Sequence, residues 1–285
     1  MIPAAFEYER AESVDHAVKL LDQGGDDAKL IAGGHSLLPL MRLRLSTPSL
    51  LVDVDRLTDL AYVRDAGDVV EIGALTRIGD AAADSTLSQH NPLFAHAAGE
   101  VGDPQVRHRG TIGGSIAHGD PASDLPTVLV ALDGEVLAHG PGGDRTIPAS
   151  EFFTGLFETA LAPNEVLTAV RVPKMAPGTG WSFQKFHRRA IDWAIVGVAA
   201  VVERQNGSIS RAGIGLTNMD ATPVRAGAVE TALAGGATSA DALASAAAHA
   251  AEGTNPPSDT NGSAEYRTEL AKVLVRRALE EAVGT

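Results

Sequence analysis

The chain has 285 residues, enough for roughly two domains of about 100 to 200 residues each, and 44% of them are hydrophobic, which excludes an intrinsically disordered protein. Its 23 basic and 36 acidic side chains give a net charge of −13; this excludes a nucleic-acid surface and insertion into an anionic membrane, and any bound phosphate must be held by local donors. Cysteine is absent, which removes disulfides, a cysteine nucleophile, the usual structural zinc sites and any cysteine-ligated iron–sulfur cluster.

At the N-terminus, MIPAAFEYERAESV lacks the basic-then-apolar form of a signal peptide, and no apolar run approaches the roughly 18 residues of a membrane span, so a cytoplasmic protein is expected. SVDHAVKLL opens on a capping serine and spaces Val14, Ala17, Val18 and Leu21 along one face, which predicts a helix over 13–21. GGDDAKLIAGG then predicts a turn and a short strand that ends in a glycine loop, and SLLVDVDRL (49–57) a second buried strand. The first sixty residues therefore read as a small strand–helix–strand unit. From Asp65 the period shifts toward two, with DVVEIGALTRI, GEVLAHG and EVLTAVRVP as strands of an α+β layer. Ile72-Gly73 and Ile78-Gly79 stand six residues apart, as in a left-handed β-helix, but a solenoid needs many consecutive coils and only two adjoin here. PKMAPGTG (173–180) reads as a linker. After it come strand-like GWSFQKF, AIVGVAAVVER and SISRAGIGLTN, then two helical runs, SADALASAAAHAAEG and SAEYRTELAKVLVRRALEEAVG, the second opening on Ser263 as its cap.

Two stretches carry chemistry. IAGGHSLLP (31–39) and TIGGSIAHGDPASDLP (111–126) each place a glycine pair after an apolar residue, followed by Ser directly in the second and after His35 in the first. Glycine lets the backbone reach positive φ and approach a ligand, so successive N–H groups can hold phosphate oxygens without a formal positive charge. In so acidic a chain that is the available way to hold a diphosphate; tight turns are the plain structural alternative. Neither G-x-G-x-x-G after a strand nor a P-loop occurs, and there is no G-x-S-x-G nucleophile elbow. His35 has no metal-ligand companions at useful spacing and reads as a loop contact. Asp124 reads equally as a cap for the helix after it and as a ligand contact, while Lys185 and HRRAIDW (187–193) read by default as solvated surface.

The stretches AGGHSLLPLMRLRL, VRHRGTIGGSIAHGDPASDLP, SFQKFHRRAIDWAIVGVAAVV and SAEYRTELAKVLVRRAL resemble the FAD-binding medium subunits of the molybdenum hydroxylase family, which includes aerobic carbon monoxide dehydrogenase and xanthine dehydrogenase; the first is closest to the carbon monoxide dehydrogenase branch. The resemblance implies an α+β, two-subdomain FAD-binding fold of the PCMH/VAO type at 1–175, with subdomains at about 1–58 and 59–175, then a C-terminal domain at 180–285 with an antiparallel sheet and helices. It implies that FAD is held by Ala32, Gly33, Gly34, His35, Ser36 and Leu37 in the first loop and by Thr111, Ile112, Gly113, Gly114 and Ser115 in the second. Asp124 then falls near the flavin, Leu167 and Lys185 at cofactor contacts, and Trp193 where an aromatic shields the ring. No catalytic or metal-binding residue is expected here. The implied partners are a molybdenum-binding large subunit and a small subunit with 2Fe–2S clusters, in a dimer of heterotrimers, with a quinone or similar acceptor and any membrane contact made through those partners. A self-sufficient FAD oxidase and a flavin-free scaffold subunit stand as alternatives.

Overall fold

Ser13 caps the first helix as expected: its Oγ accepts from the His16 N–H at 3.1 Å and starts α1 (Val14–Gly24). The helix continues past Leu21 to Gly24 because Gly25, at φ 58°, is the first residue to leave the helical region. The structure is a computed structural model that describes residues 2–284, so Met1 and Thr285, the outermost residues of the expected domains, lie outside the described residues.

Strands β1 (Glu7–Arg10), β2 (Ala28–Ile31) and β3 (Leu50–Asp53) form a parallel sheet with β3 in the centre. Helix α1 crosses from β1 to β2 and buries Ala17, Val18 and Leu21, while α2 (Leu37–Leu43) crosses from β2 to β3. The first glycine loop thus leaves the carboxyl end of a parallel strand and enters a helix, the usual ligand position of such units. The sequence EYER of β1 was not legible as a strand, since all four residues are exposed.

The next layer is antiparallel, in the order β4 (Val63–Ala66), β5 (Val69–Gly73), β10 (Val166–Pro173), β6 (Glu135–Gly140), β7 (Gly143–Pro148). The predicted strand from Asp68 stops at Gly73, and the chain then runs through α3 (Ile78–Ala83), α4 (Ser85–His90), α5 (Pro92–Gly99), α6 (Pro104–Arg109), α7 (Ile112–Ala117) and α8 (Asp124–Ala131). Of these only the last was expected, because helices this short show barely two turns of period. Their caps were readable: Asp84, Asn91, Asp103 and Thr111 each accept from the N–H three residues on, and Pro92 and Pro104 follow two of them. A short helix α9 (Ala149–Phe152) and the hairpin β8 (Phe153–Gly155) with β9 (Glu158–Thr159) complete the layer.

Strands β11 (Gly180–Phe186), β12 (Val196–Gln205), β13 (Ser208–Thr217) and β14 (Val224–Arg225) form an antiparallel sheet in that order. One face of it packs Val198, Ala200, Val202, Ile214 and Leu216 against α10 (Gly227–Leu233), α11 (Ala240–Ala247) and α12 (Ala264–Val283), the last capped by Ser263. The helix predicted for SADALASAAAHAAEG ends at Ala247, before the end of that run. The other face receives α8, whose residues are all buried. A Cβ at Gly213 would stand 2.3 Å from the Ala131 carbonyl oxygen and one at Gly215 2.5 Å from that of Thr127, so these glycines let α8 lie directly on β13. Thr217 Oγ1 donates to Thr127 Oγ1 at 2.8 Å and fixes the register. Helix α8 therefore joins the second layer to the third, and its first residue is Asp124.

Candidate functional site

The three parts meet at a cleft of about 860 Å³, and every expected site residue except Ile112 lines it. Ile112 is fully buried in the core, and its N–H donates to the Thr76 carbonyl at 3.0 Å.

The two glycine loops differ in what they offer. In the first, Gly34 takes φ 73°, and among the described residues none of the N–H groups from Gly33 to Leu37 donates to another protein group; the first N–H used is that of Leu38, to Gly34 O at 3.0 Å. A run of unpaired N–H donors on a cleft wall is a cradle for anionic oxygens. The second loop is the start of α7, and its donors are taken. Gly113 N–H donates to Ala74 O at 2.8 Å, Gly114 N–H to Thr111 Oγ1 at 3.1 Å and Ser115 N–H to Thr111 O at 3.0 Å. It presents to the cleft the exposed Gly114 and the hydroxyl-bearing Ser115. The expectation of two equivalent N–H cradles is thereby corrected: the partners Ala74 and Thr76 come from the chain beyond β5, which local sequence does not show.

Gly33 and Gly113 are required by the fold itself. A Cβ on Gly33 would sit 2.2 Å from the Arg109 carbonyl oxygen and 2.9 Å from Gly110 Cα; on Gly113 it would sit 2.6 Å from Ala74 Cβ. Loop one is thus pressed backbone to backbone against the segment that leads into loop two.

Asp124 is the first residue of α8, with Ser123 in the cap position, so the capping reading does not hold. Its Oδ2 accepts from Lys185 Nζ at 2.7 Å, and Lys185 donates also to Glu100 O at 2.8 Å. Both side chains are buried, at 6% and 4% exposure, which corrects the reading of Lys185 as solvated surface. Burial pushes the Asp124 carboxyl up to about 6 although Lys185 opposes it, and its Oδ1 is buried without a partner, as is His187 Nδ1. Arg188 and Arg189 of the same run are exposed.

Leu167 lies buried on β10 at the cleft wall, His35 is exposed at its rim, and Trp193 stands 58% exposed at its mouth beside Ile191. Reasoning from sequence missed Phe157, which takes φ 57° at the hairpin tip and packs its ring against His118 at 5.1 Å between centroids and a 42° tilt. It also missed His118, whose imidazole burial holds below its usual range, and the exposed Lys29 of β2. The clustering of His118 with Asp120 just after the second loop was the available signal for the first pair.

The architecture is shared with known proteins. The family described as the FAD binding domain in molybdopterin dehydrogenase matches residues 4–175, and that described as the CO dehydrogenase flavoprotein C-terminal domain matches residues 181–282. The carbon monoxide dehydrogenase medium chain of Hydrogenophaga pseudoflava is 44% identical, over 99% of this chain and 98% of its own. The 6-hydroxypseudooxynicotine dehydrogenase complex subunit alpha of Paenarthrobacter nicotinovorans is 42% identical, over 99% of this chain and 96% of its own. The solved structure of the Hydrogenophaga pseudoflava carbon monoxide dehydrogenase that lacks the Mo-pyranopterin moiety matches with a TM-score of 0.98 at 45% identity, covering 100% of this chain and 99% of that one.

Proposed function

Because the chain belongs to the FAD-binding subunits of the molybdopterin dehydrogenases, with the C-terminal domain of the CO dehydrogenase flavoproteins, we propose that it passes electrons from a partner's iron–sulfur clusters to an external acceptor. It is the FAD subunit of a carbon monoxide dehydrogenase-type molybdenum hydroxylase.

The observation that carries this reading is the run of unpartnered N–H groups from Gly33 to Leu37 in a chain of net charge −13. The residues present fit the dinucleotide: backbone donors suit its diphosphate, and the glycine pair leaves the approach free of side chains. Ala32 to Leu37 and Ser115 would hold the diphosphate, with Leu167 on the wall. The Asp124–Lys185 pair would set the charge beside the isoalloxazine, and Trp193 and Phe157 would limit its access to water. When bound, FAD supplies a redox centre able to exchange electrons singly or in pairs. The chain's own work is to bind it, orient it and tune its surroundings.

The molybdenum centre and the 2Fe–2S clusters belong to a large and a small partner subunit, in a dimer of heterotrimers; the chain has no cysteine with which to hold a cluster. Carbon monoxide is the first candidate substrate of the assembly. Relatives at 44% and 42% identity carry the names of different substrates, which supports placing substrate choice in the partner. A quinone or similar carrier is the acceptor. A cytoplasmic location fits, with any membrane contact made through the partners; among the described residues no helix is long and apolar enough to cross a membrane.

Anaerobic stopped-flow spectroscopy tests the division of labour. Carbon monoxide should leave the flavin band of the lone subunit unchanged and bleach it once the partner subunits are added, while dithionite bleaches it in both. Reduction of the lone subunit by substrate at turnover rate would replace this reading with a self-sufficient oxidase, and a purified complex that releases no flavin on denaturation would replace it with a scaffold.

A further inference from the structure

Arg77 stands behind the two glycine loops and touches both sides of the junction. Its backbone bridges that of Thr111, and the neighbouring bonds Ile78 N–H to Gly110 O (2.9 Å) and Ile112 N–H to Thr76 O (3.0 Å) tie it to the start of the second loop. Its guanidinium points the other way. Nη2 donates to Asp55 Oδ1 at 2.6 Å, and Nη1 donates to the Arg109 carbonyl at 2.7 Å. That carbonyl is the atom against which Gly33 is pressed: a Cβ there would lie 2.2 Å from it.

Asp55 belongs to the first subdomain, just past β3. Its N–H donates to Asp53 Oδ1 at 2.8 Å, and the adjacent Val54 N–H donates to Ile31 O at 3.0 Å, immediately before the first loop. The contact between Arg77 and Asp55 is three-quarters buried, at 22% and 24% exposure, whereas Arg109 reaches the same carboxylate only at 3.5 Å and is half exposed. Neither Arg77 nor Asp55 lines the cleft.

We infer that Arg77, through Asp55 and the Arg109 carbonyl, is the positioning residue that holds the first loop in its anion-binding shape and so sets how firmly the chain retains FAD. The inference rests on the proposed function above. The donors of the first loop are free because nothing in the chain uses them, so their directions depend on what the loop is packed against. The nearest such contact, at Gly33, is the Arg109 carbonyl, itself held by one prong of Arg77. The planar guanidinium serves the carboxylate and the carbonyl through two different nitrogens held at a fixed separation, a geometry that the single nitrogen of a lysine ammonium does not reproduce.

The test uses the assembled complex, purified with its flavin, and follows FAD release by the rise of free-flavin fluorescence alongside the melting temperature. Arg77→Ala should release flavin at least about tenfold faster than the parent, and Arg77→Lys should fall between the two. The exchanged pair Asp55→Arg with Arg77→Asp restores an ion pair but leaves the Arg109 carbonyl without a donor, so it should release flavin as fast as Arg77→Ala. Should Arg77→Ala fail to assemble, Arg77→Lys and the exchanged pair carry the same comparison. Release at the parent rate in Arg77→Ala or Arg77→Lys overturns the inference. So does a return to the parent rate in the exchanged pair, since the ion pair alone would then suffice. A parent complex that holds no flavin would instead overturn the proposed function, so the two failures are distinct.

Discussion

A buried lysine beside a buried aspartate is the residue-scale feature with the most consequence. Sequence could not show it, because Lys185 sits in a run of charges and its partner lies 61 residues away. Asp124→Asn keeps an oxygen that can accept from Lys185 but removes the counter-charge of a buried ammonium, and should cost about 3–5 kcal/mol, the usual penalty for leaving a buried charge uncompensated. The same change removes a negative charge from the wall of the proposed flavin cleft and should raise the midpoint potential of the flavin held there, with Lys185→Met lowering it, as read by potentiometric titration. The pH dependence has a definite sign. The folded carboxyl titrates near 6 and the unfolded one near 3.8, so the unfolded chain loses its proton first, and this group's contribution to stability falls as pH rises between those values. Asp124→Asn should abolish that slope in melting curves. At the glycines, valine or alanine at Gly113 should destabilise the fold by about 1–3 kcal/mol, since the new Cβ meets Ala74, and at Gly34 it is strained by the positive φ. Gly114→Ala stands exposed in the cleft, but its Cβ would lie 2.7 Å from the capping Thr111 Oγ1; it should cost about 1 kcal/mol through that cap and lower the flavin-to-protein ratio further than this loss of stability explains.

Among the elements, α8 was legible as a helix but not as a wholly buried one. Its apolar run DLPTVLVA fits a core helix, yet the glycines that admit it lie on β13, where they read as ordinary strand punctuation. Gly215→Ala should push the Thr127 carbonyl away, cost about 1–3 kcal/mol and displace Asp124, so stability and flavin content should fall together. Ser263→Ala offers the contrast. It removes the side-chain acceptor of the Tyr266 N–H at the start of α12, far along the chain from both loops, and should cost about 1 kcal/mol with flavin content unchanged. Equal loss of flavin in both variants would mean that flavin retention follows global stability rather than the placement of α8.

Across the whole molecule, the first subdomain is stapled to the second at its far side by His139, whose Nε2 lies 2.8 Å from Asp15 Oδ1 and Nδ1 2.6 Å from Asp144 Oδ1. Both ring nitrogens face carboxylates, and the contact with Asp144, helped by Asp15, holds the imidazole above its usual range. A raised histidine stabilises the fold below its unfolded value near 6.5, and that contribution is lost as pH rises through the folded value. His139→Gln should therefore lower the melting temperature at pH 6 and have little effect at pH 9; an equal fall at both would deny the charged staple. The sequence by itself determined the order of parts, the place of both glycine loops and the exclusion of cluster-binding cysteines. Local spacing, glycine conformational freedom and residue chemistry do not depend on distant partners. Only the tertiary structure decided which donors remain free and which charges are buried. The N–H groups of Ile112 and Gly113 are consumed by Thr76 and Ala74, while those of Gly33 to Leu37 are not. A hydrogen bond's availability is set by whatever else the fold brings within about 3 Å of it, and that is a property of non-local packing.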